Sequence, residues 1–216
     1  MSNEAAPEPA AAAPGTEGRP RWSPPGNRVL TDPRDMRALA HPTRIALLEA
    51  LAVHGPLTAT QAGELIGESA SSCSFHLRTL ARHNFVEETG EGRGRERPWR
   101  RVTTSLSMPD YAADHETFVA ATALSQLVTE RQLARLRQWQ ERRPTADQAW
   151  IDAAEHAEMI TWATPQELRD LNEAVLEAMS RFQGRLDDPS TRPADAELVE
   201  LVYFSYPSSV GSAGDE

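Results

Sequence analysis

Within twelve residues, Ser69-Ala-Ser-Ser-Cys-Ser-Phe-His-Leu-Arg-Thr-Leu80 brings together hydroxyls, a thiol, an imidazole and a guanidinium. Cys73, Leu77 and Leu80 are spaced four and three residues apart, which puts them on one face of an α-helix. Ser71, Ser72, Phe75, His76 and Thr79 fall on the opposite face, with Ser74 and Arg78 at its margin. A narrow apolar stripe backed by hydroxyls, His and Arg suits the major groove of DNA. Hydroxyls bond phosphates or base edges, Arg reaches guanine, and small residues permit close approach. Ser-rich amphipathic helices are also common surface elements, so the flanking sequence has to decide.

The other reactive residue types form no catalytic constellation. No serine sits in a nucleophile-elbow context, and Gly90, Gly92 and Gly94 lack the following helix that a phosphate loop requires. They read as turn residues. Cys73 is the one cysteine, which rules out an intramolecular disulfide and fits a reducing compartment. On the apolar face it reads as a small buried hydrophobe rather than a redox switch. His115 and His156, with Asp114, Glu116, Glu155 and Glu158 beside them, are the candidates for a metal, but no His-x-x-x-His pair accompanies them. No metal and no cofactor is expected.

The formal net charge of −10 is unevenly spread. Residues 69–105 hold 7 Arg against 4 Glu, whereas residues 106–216 hold 9 Arg against 20 acids. All 22 residues of the Lys+Arg count are Arg, the cation that binds phosphate and guanine in bidentate fashion. A locally basic segment tied to an acidic one leaves nucleic acid open as a partner. No apolar run approaches the roughly 18 residues of a membrane span, and the N-terminus lacks the basic start and apolar core of a signal peptide. No membrane partner is expected, and the localisation expected is cytoplasmic.

Four domains or segments follow from composition. Residues 1–30, rich in Ala, Pro, Gly and Glu, read as a disordered arm, in which Arg19, Arg21 and Arg28 could touch a phosphate backbone. Residues 31–105 read as the folded binding domain. Asp32-Pro33 starts a first helix, and His41-Pro42 interrupts it and restarts a second through Leu47, Leu48 and Leu51. Thr58 caps a third helix holding Ala62, Leu65 and Ile66, which Gly67 stops. The Ser69 helix follows and ends near His83-Asn84. Phe85 to Thr89 and Arg97 to Thr104 read as strands joined by a Gly/Arg turn from Gly90 to Glu96. The fold class is mainly α with a small β-hairpin wing, a winged helix-turn-helix domain followed by a helical region. On this reading Ser71, Ser72, Ser74, Phe75, His76 and Arg78 face DNA, with Arg93, Arg95 and Arg97 on the wing along the backbone.

The segments Leu39-Ala-His-Pro-Thr-Arg-Ile-Ala-Leu-Leu48, Gln61 to Gly67 and Ser69 to Val86 resemble the ArsR-type winged-helix transcriptional regulators of bacteria. The wing text Gly92-Arg-Gly-Arg-Glu-Arg-Pro-Trp-Arg100 is similar to the actinobacterial branch. The resemblance covers about residues 32–104. It implies a homodimer on an imperfect palindromic operator in double-stranded DNA, usually a repressor released by a signal, with His76 at a position that often contacts DNA. Metal-sensing members carry cysteine on the helix before the recognition helix. The matching stretch Thr58-Ala-Thr-Gln-Ala-Gly-Glu-Leu-Ile66 has neither Cys nor His, so those thiolate ligands are missing.

Residues 106–207 read as a helical region, and residues 208–216 as a flexible tail. Phe118, Ala121, Leu124, Leu127 and Val128, then Leu133, Leu136 and Trp139, keep helical spacing from Pro109 to Arg143-Pro144. Phe118, Leu124, Leu127, Leu133 and Leu136 are the expected dimer contacts, since ArsR-type relatives dimerise through helices flanking the winged domain. Further helices are expected over residues 146–162 and from Thr164-Pro165 to Phe182, and a strand over residues 197–206. Trp139, Trp150, Trp162, Met159, Tyr203 and Phe204 read as core, or as the lining of a pocket for an unidentified small-molecule ligand. Two alternatives to the regulator stay open: a winged-helix module with weak DNA binding whose acidic half binds a protein, and a ligand- or metal-responsive sensor that uses the C-terminal helices. An enzyme is not expected.

Overall fold

The computed structural model describes residues 27–92, 96–103, 105–108 and 114–209. Helix starts follow the side chains available to take up free N–H groups. In α1 (Pro33–Leu39) the Asp32 carboxylate accepts from the Arg34 N–H at 2.8 Å, with Pro33 opening the helix. In α2 (Pro42–His54) His41 Nδ1 accepts from the Thr43 N–H at 3.2 Å. Thr58 and Gln61 form a reciprocal capping box at the head of α3 (Ala59–Ile66), and Ser69 caps α4 (Ala70–Arg82).

Between α3 and α4 the chain turns tightly. Gly67 takes a left-handed φ of 73° as the α3 cap. Gly63 lies so close to the turn that a Cβ there would meet the Glu68 carbonyl oxygen at 2.5 Å. Cys73, Leu77 and Leu80 of α4 are fully buried with Leu47, Ala62 and Phe85, as the helical spacing requires.

The wing is a pair of three-residue strands. β2 (Val86–Glu88) runs antiparallel to β3 (Trp99–Arg101), with Glu87 opposite Arg100. Leu57 adds a two-bond bridge to Trp99, fastening the hairpin to the turn between α2 and α3. Both strands are shorter than the sequence suggests. The architecture is nonetheless mainly helical with a small hairpin wing, a winged helix-turn-helix followed by a helical C-terminal region.

Four expectations are corrected. The arm does not extend to Leu30: β1 (Asn27–Val29) pairs in parallel with β4 (Ser105–Ser107), and Leu30 is buried. Arg28 bonds the His83 and Asn84 carbonyls and Asp35, and lies over the Phe85 ring, so its role is structural. The expected helix over residues 146–162 is reduced to α6 (Gln148–Ala153). Residues 197–206 form no strand.

The remaining C-terminal helices match expectation better. Helix α5 (His115–Arg142) is long, and α7 (Pro165–Ser180) opens with a capping box made by Thr164 and Glu167. A short helix, α8 (Gly184–Asp187), follows. Helix α5 packs on α1 through Ala120 and Leu124. It is tied to α2 by Arg131 and Arg135, which bond Glu49 at 2.6 and 2.9 Å.

Candidate nucleic-acid interface

Helix α4 is held by one face and open on the other. Ser71, Phe75 and Arg78 are exposed, and Ser72 and Ser74 are partly so. Phe75 is 58% exposed although its helix is anchored in the core. Arg78 Nη1 donates to Ser74 Oγ at 2.7 Å, and Arg82 Nη2 donates to Thr79 Oγ1 at 3.0 Å. Both guanidiniums are therefore laid along the helix surface, each by a hydroxyl one turn earlier. Phe75, Arg78, Ala81 and Arg82 line an open groove on this face.

Arg82 belongs to this stripe and the sequence reading missed it. It stands four residues after Arg78, the spacing that repeats a helical position. That spacing was the available signal.

His76 is placed differently from expectation. Its ring is half-buried against the His41 ring, with centroids 4.4 Å apart, and Phe75 meets it edge-on at 5.2 Å. Its Nδ1 is buried without a hydrogen-bond partner. Burial, then the neighbouring His41 and Arg44, push its pKa below the ordinary value, so the ring is neutral near pH 7. It cannot act there as a cation toward phosphate. The Cys73 thiol is buried and its pKa raised by that burial, which leaves it inert as a nucleophile.

On the wing, Arg97 Nη1 donates to Glu88 Oε2 at 3.0 Å, and Arg100 Nε donates to Glu87 Oε1 at 2.8 Å. Both pairs are exposed, so each guanidinium is held in place across the hairpin at little energetic cost to release. Gly92, with φ of 82°, passes so near Glu96 that a Cβ would stand 2.1 Å from its carbonyl oxygen, which accounts for glycine in the turn. Arg93 and Arg95 lie outside the described residues.

Of the candidate dimer residues, Leu124 is only 4% exposed and belongs to the chain's own core, because α5 seats it against α1. Phe118, Leu133 and Leu136 are exposed and Leu127 is half-buried. Of the six residues weighed as core or pocket lining, Met159, Trp162, Tyr203 and Phe204 are exposed, Trp162 entirely so, while Trp139 and Trp150 are half-buried. Among the described residues, no three His, Cys, Asp or Glu side chains converge on a possible metal position. Asp114 is instead the α5 cap, accepting from the Thr117 N–H and hydroxyl. No helix among the described residues is long and apolar enough to cross a membrane.

This geometry, a helix with one buried and one open polar face beside a hairpin, defines a helix-turn-helix module. A family model described as a helix-turn-helix domain matches residues 39–89, from the end of α1 through β2. No curated protein matches the chain. The matched domain supports a DNA-binding transcription regulator.

Proposed function

We propose that the protein is a sequence-specific transcriptional repressor of the ArsR type, acting as a homodimer on double-stranded DNA. The observation that carries this is the two-sided character of α4. Cys73, Leu77 and Leu80 lock one face into the core, while Ser71, Ser74, Phe75, Arg78 and Arg82 stay open on the other. In this reading Ser71, Ser72, Ser74, Phe75 and Arg78 enter the major groove, joined by Arg82. His76 positions the helix by packing its ring against that of His41. Arg97, with Arg93 and Arg95, braces the wing on the backbone.

A two-fold dimer would set its recognition helices about 34 Å apart to meet successive major grooves. The exposed Phe118, Leu133 and Leu136 on α5 support a dimer contact there. Small-molecule control through the C-terminal half remains compatible with this assembly. A cytoplasmic setting follows from the role.

The test is salt-titrated binding of the full chain to its own promoter region against random-sequence competitor. Selective binding that weakens steeply with salt is expected, because phosphate contacts release counterions. Arg78→Ala should relax selectivity at one base position, costing roughly 5- to 100-fold in affinity. A folded protein with no preference for any sequence overturns the reading.

A further inference from the structure

The C-terminal half holds a stretch that is specified in place yet unpaired along its backbone. Residues 197–206, Glu-Leu-Val-Glu-Leu-Val-Tyr-Phe-Ser-Tyr, are rich in the β-branched and aromatic residues that favour strands. Among the described residues none of the ten makes a backbone–backbone hydrogen bond. Side chains nevertheless fix the segment to the helices. Arg135 of α5 grips Glu200 with two bonds of 2.8 and 2.6 Å. Tyr203 and Ser205 both donate to Asn172 Oδ1 of α7, at 3.0 and 2.8 Å. Residues two apart that reach one acceptor are the mark of an extended chain.

Leu198, Val199, Leu201, Val202, Phe204 and Tyr206 are exposed along it. Unpaired N–H and C=O groups beside exposed Val, Leu, Tyr and Phe make an adhesive edge that proteins ordinarily cover. We propose that a second copy of this chain covers it, residues 197–206 pairing antiparallel with themselves across the dimer two-fold. This rests on the homodimer reading above and names its surface.

Charge and shape favour a second copy as the occupant. In a register centred on Leu201, which then faces its own twin, Glu200 faces Val202, Leu198 faces Phe204 and Glu197 faces Ser205. No acid opposes an acid, whereas a parallel register would stack each Glu on its twin, and like charges directly opposite are destabilising. The pairing is isologous and closes after two chains, so the edge does not propagate into fibres. It is also tied to the helix of the proposed α5 contact, because Arg135, which holds Glu200, belongs to α5.

Sedimentation of the full chain tests this, using Leu201→Pro with Val202→Pro to remove adjacent backbone donors, and Leu201→Thr with Val202→Thr to keep them. Wild type and the Thr double variant should both be dimers. The Pro double variant should dissociate about 100-fold more readily while keeping its helical circular dichroism. Hydrogen exchange on wild type needs no variant: alternate amides of residues 198–205, those directed at the partner strand, should be protected in the dimer and exchange freely on dilution to monomer. A Pro variant that dimerises as tightly as wild type, or exchange indifferent to dilution, overturns the strand pairing but leaves a dimer built on α5. A wild-type monomer at tens of micromolar overturns the pairing and the homodimer together.

Discussion

Two helices of this chain begin in the same way and end in different circumstances. Helices α3 and α7 are each opened by a capping box, Thr58 with Gln61 and Thr164 with Glu167. Helix α3 buries Ala62 and Gly63 against its neighbours, while α7, twice as long, buries no residue. Every buried hydrophobic side chain among the described residues lies between Leu30 and Leu124. Local capping therefore makes helices throughout, but among the described residues the core ends with Ala120 and Leu124 at the start of α5. Beyond Leu124, Leu133, Leu136, Leu171, Phe182 and the apolar residues of 198–206 are exposed, the condition of a surface that binds something.

The sharpest way to break this contrast is to truncate one leucine in each half. Leu77 is fully buried in α4, and Leu77→Ala should destabilise the protein by about 2–5 kcal/mol in denaturant unfolding. Leu171 of α7 is half-exposed, and Leu171→Ala should cost less than about 0.5 kcal/mol at concentrations where the chain is monomeric. Equal costs would mean that α7 is buried, and the distinction between the halves would fail.

A smaller effect isolates the turn that aims α4. At Gly63 a Cβ would collide with a backbone oxygen, not with a side chain that can swing away. Gly63→Ala should therefore cost about 1–3 kcal/mol by overpacking, despite alanine's better helix propensity. It should also weaken DNA binding by tilting α4. A neutral or stabilising result would show that the turn relaxes freely.

Helix α4 was legible because its two faces differ at every turn: the period of Cys73, Leu77 and Leu80 alone orients it. The capping residues and the wing hairpin were legible for the same local reason. The β1–β4 pair was not, since three-residue strands carry no period and their partners stand 78 residues apart in sequence. The helix expected over residues 146–162 ends at Ala153 although Ala154, Glu155, Ala157, Glu158 and Met159 are good helix formers, and nothing in the local sequence accounts for it. Of the site, Arg78 and the serines could be placed from spacing, but the contact between His76 and His41 joins residues 35 apart, which no helical pattern encodes. Pairing with another chain is equally invisible to periodicity, so residues 197–206 read as a strand and yet stand without one.

That histidine contact gives the mildest and most specific prediction, and it bears on the well-packed half alone. Burial, then Arg44, lowers the pKa of His41 from its ordinary 6.5; burial, then His41 and Arg44, lowers that of His76. Glu68 opposes both shifts and is itself held by the Thr43 hydroxyl at 3.3 Å. As pH falls through 6.5 the unfolded chain takes up protons that the folded pair still refuses. The unfolded state then binds more protons, so stability declines with falling pH and levels off only below the folded values. Denaturation midpoints should fall between pH 7.5 and 5.5, and His76→Gln should flatten that slope, the difference between the two proteins cancelling the remaining histidines. A wild type whose stability rises on acidification by more than the variant's would mean that the pair gains a counter-charge on protonation, and that the ring contact at the base of α4 is ionic and not a desolvated packing contact.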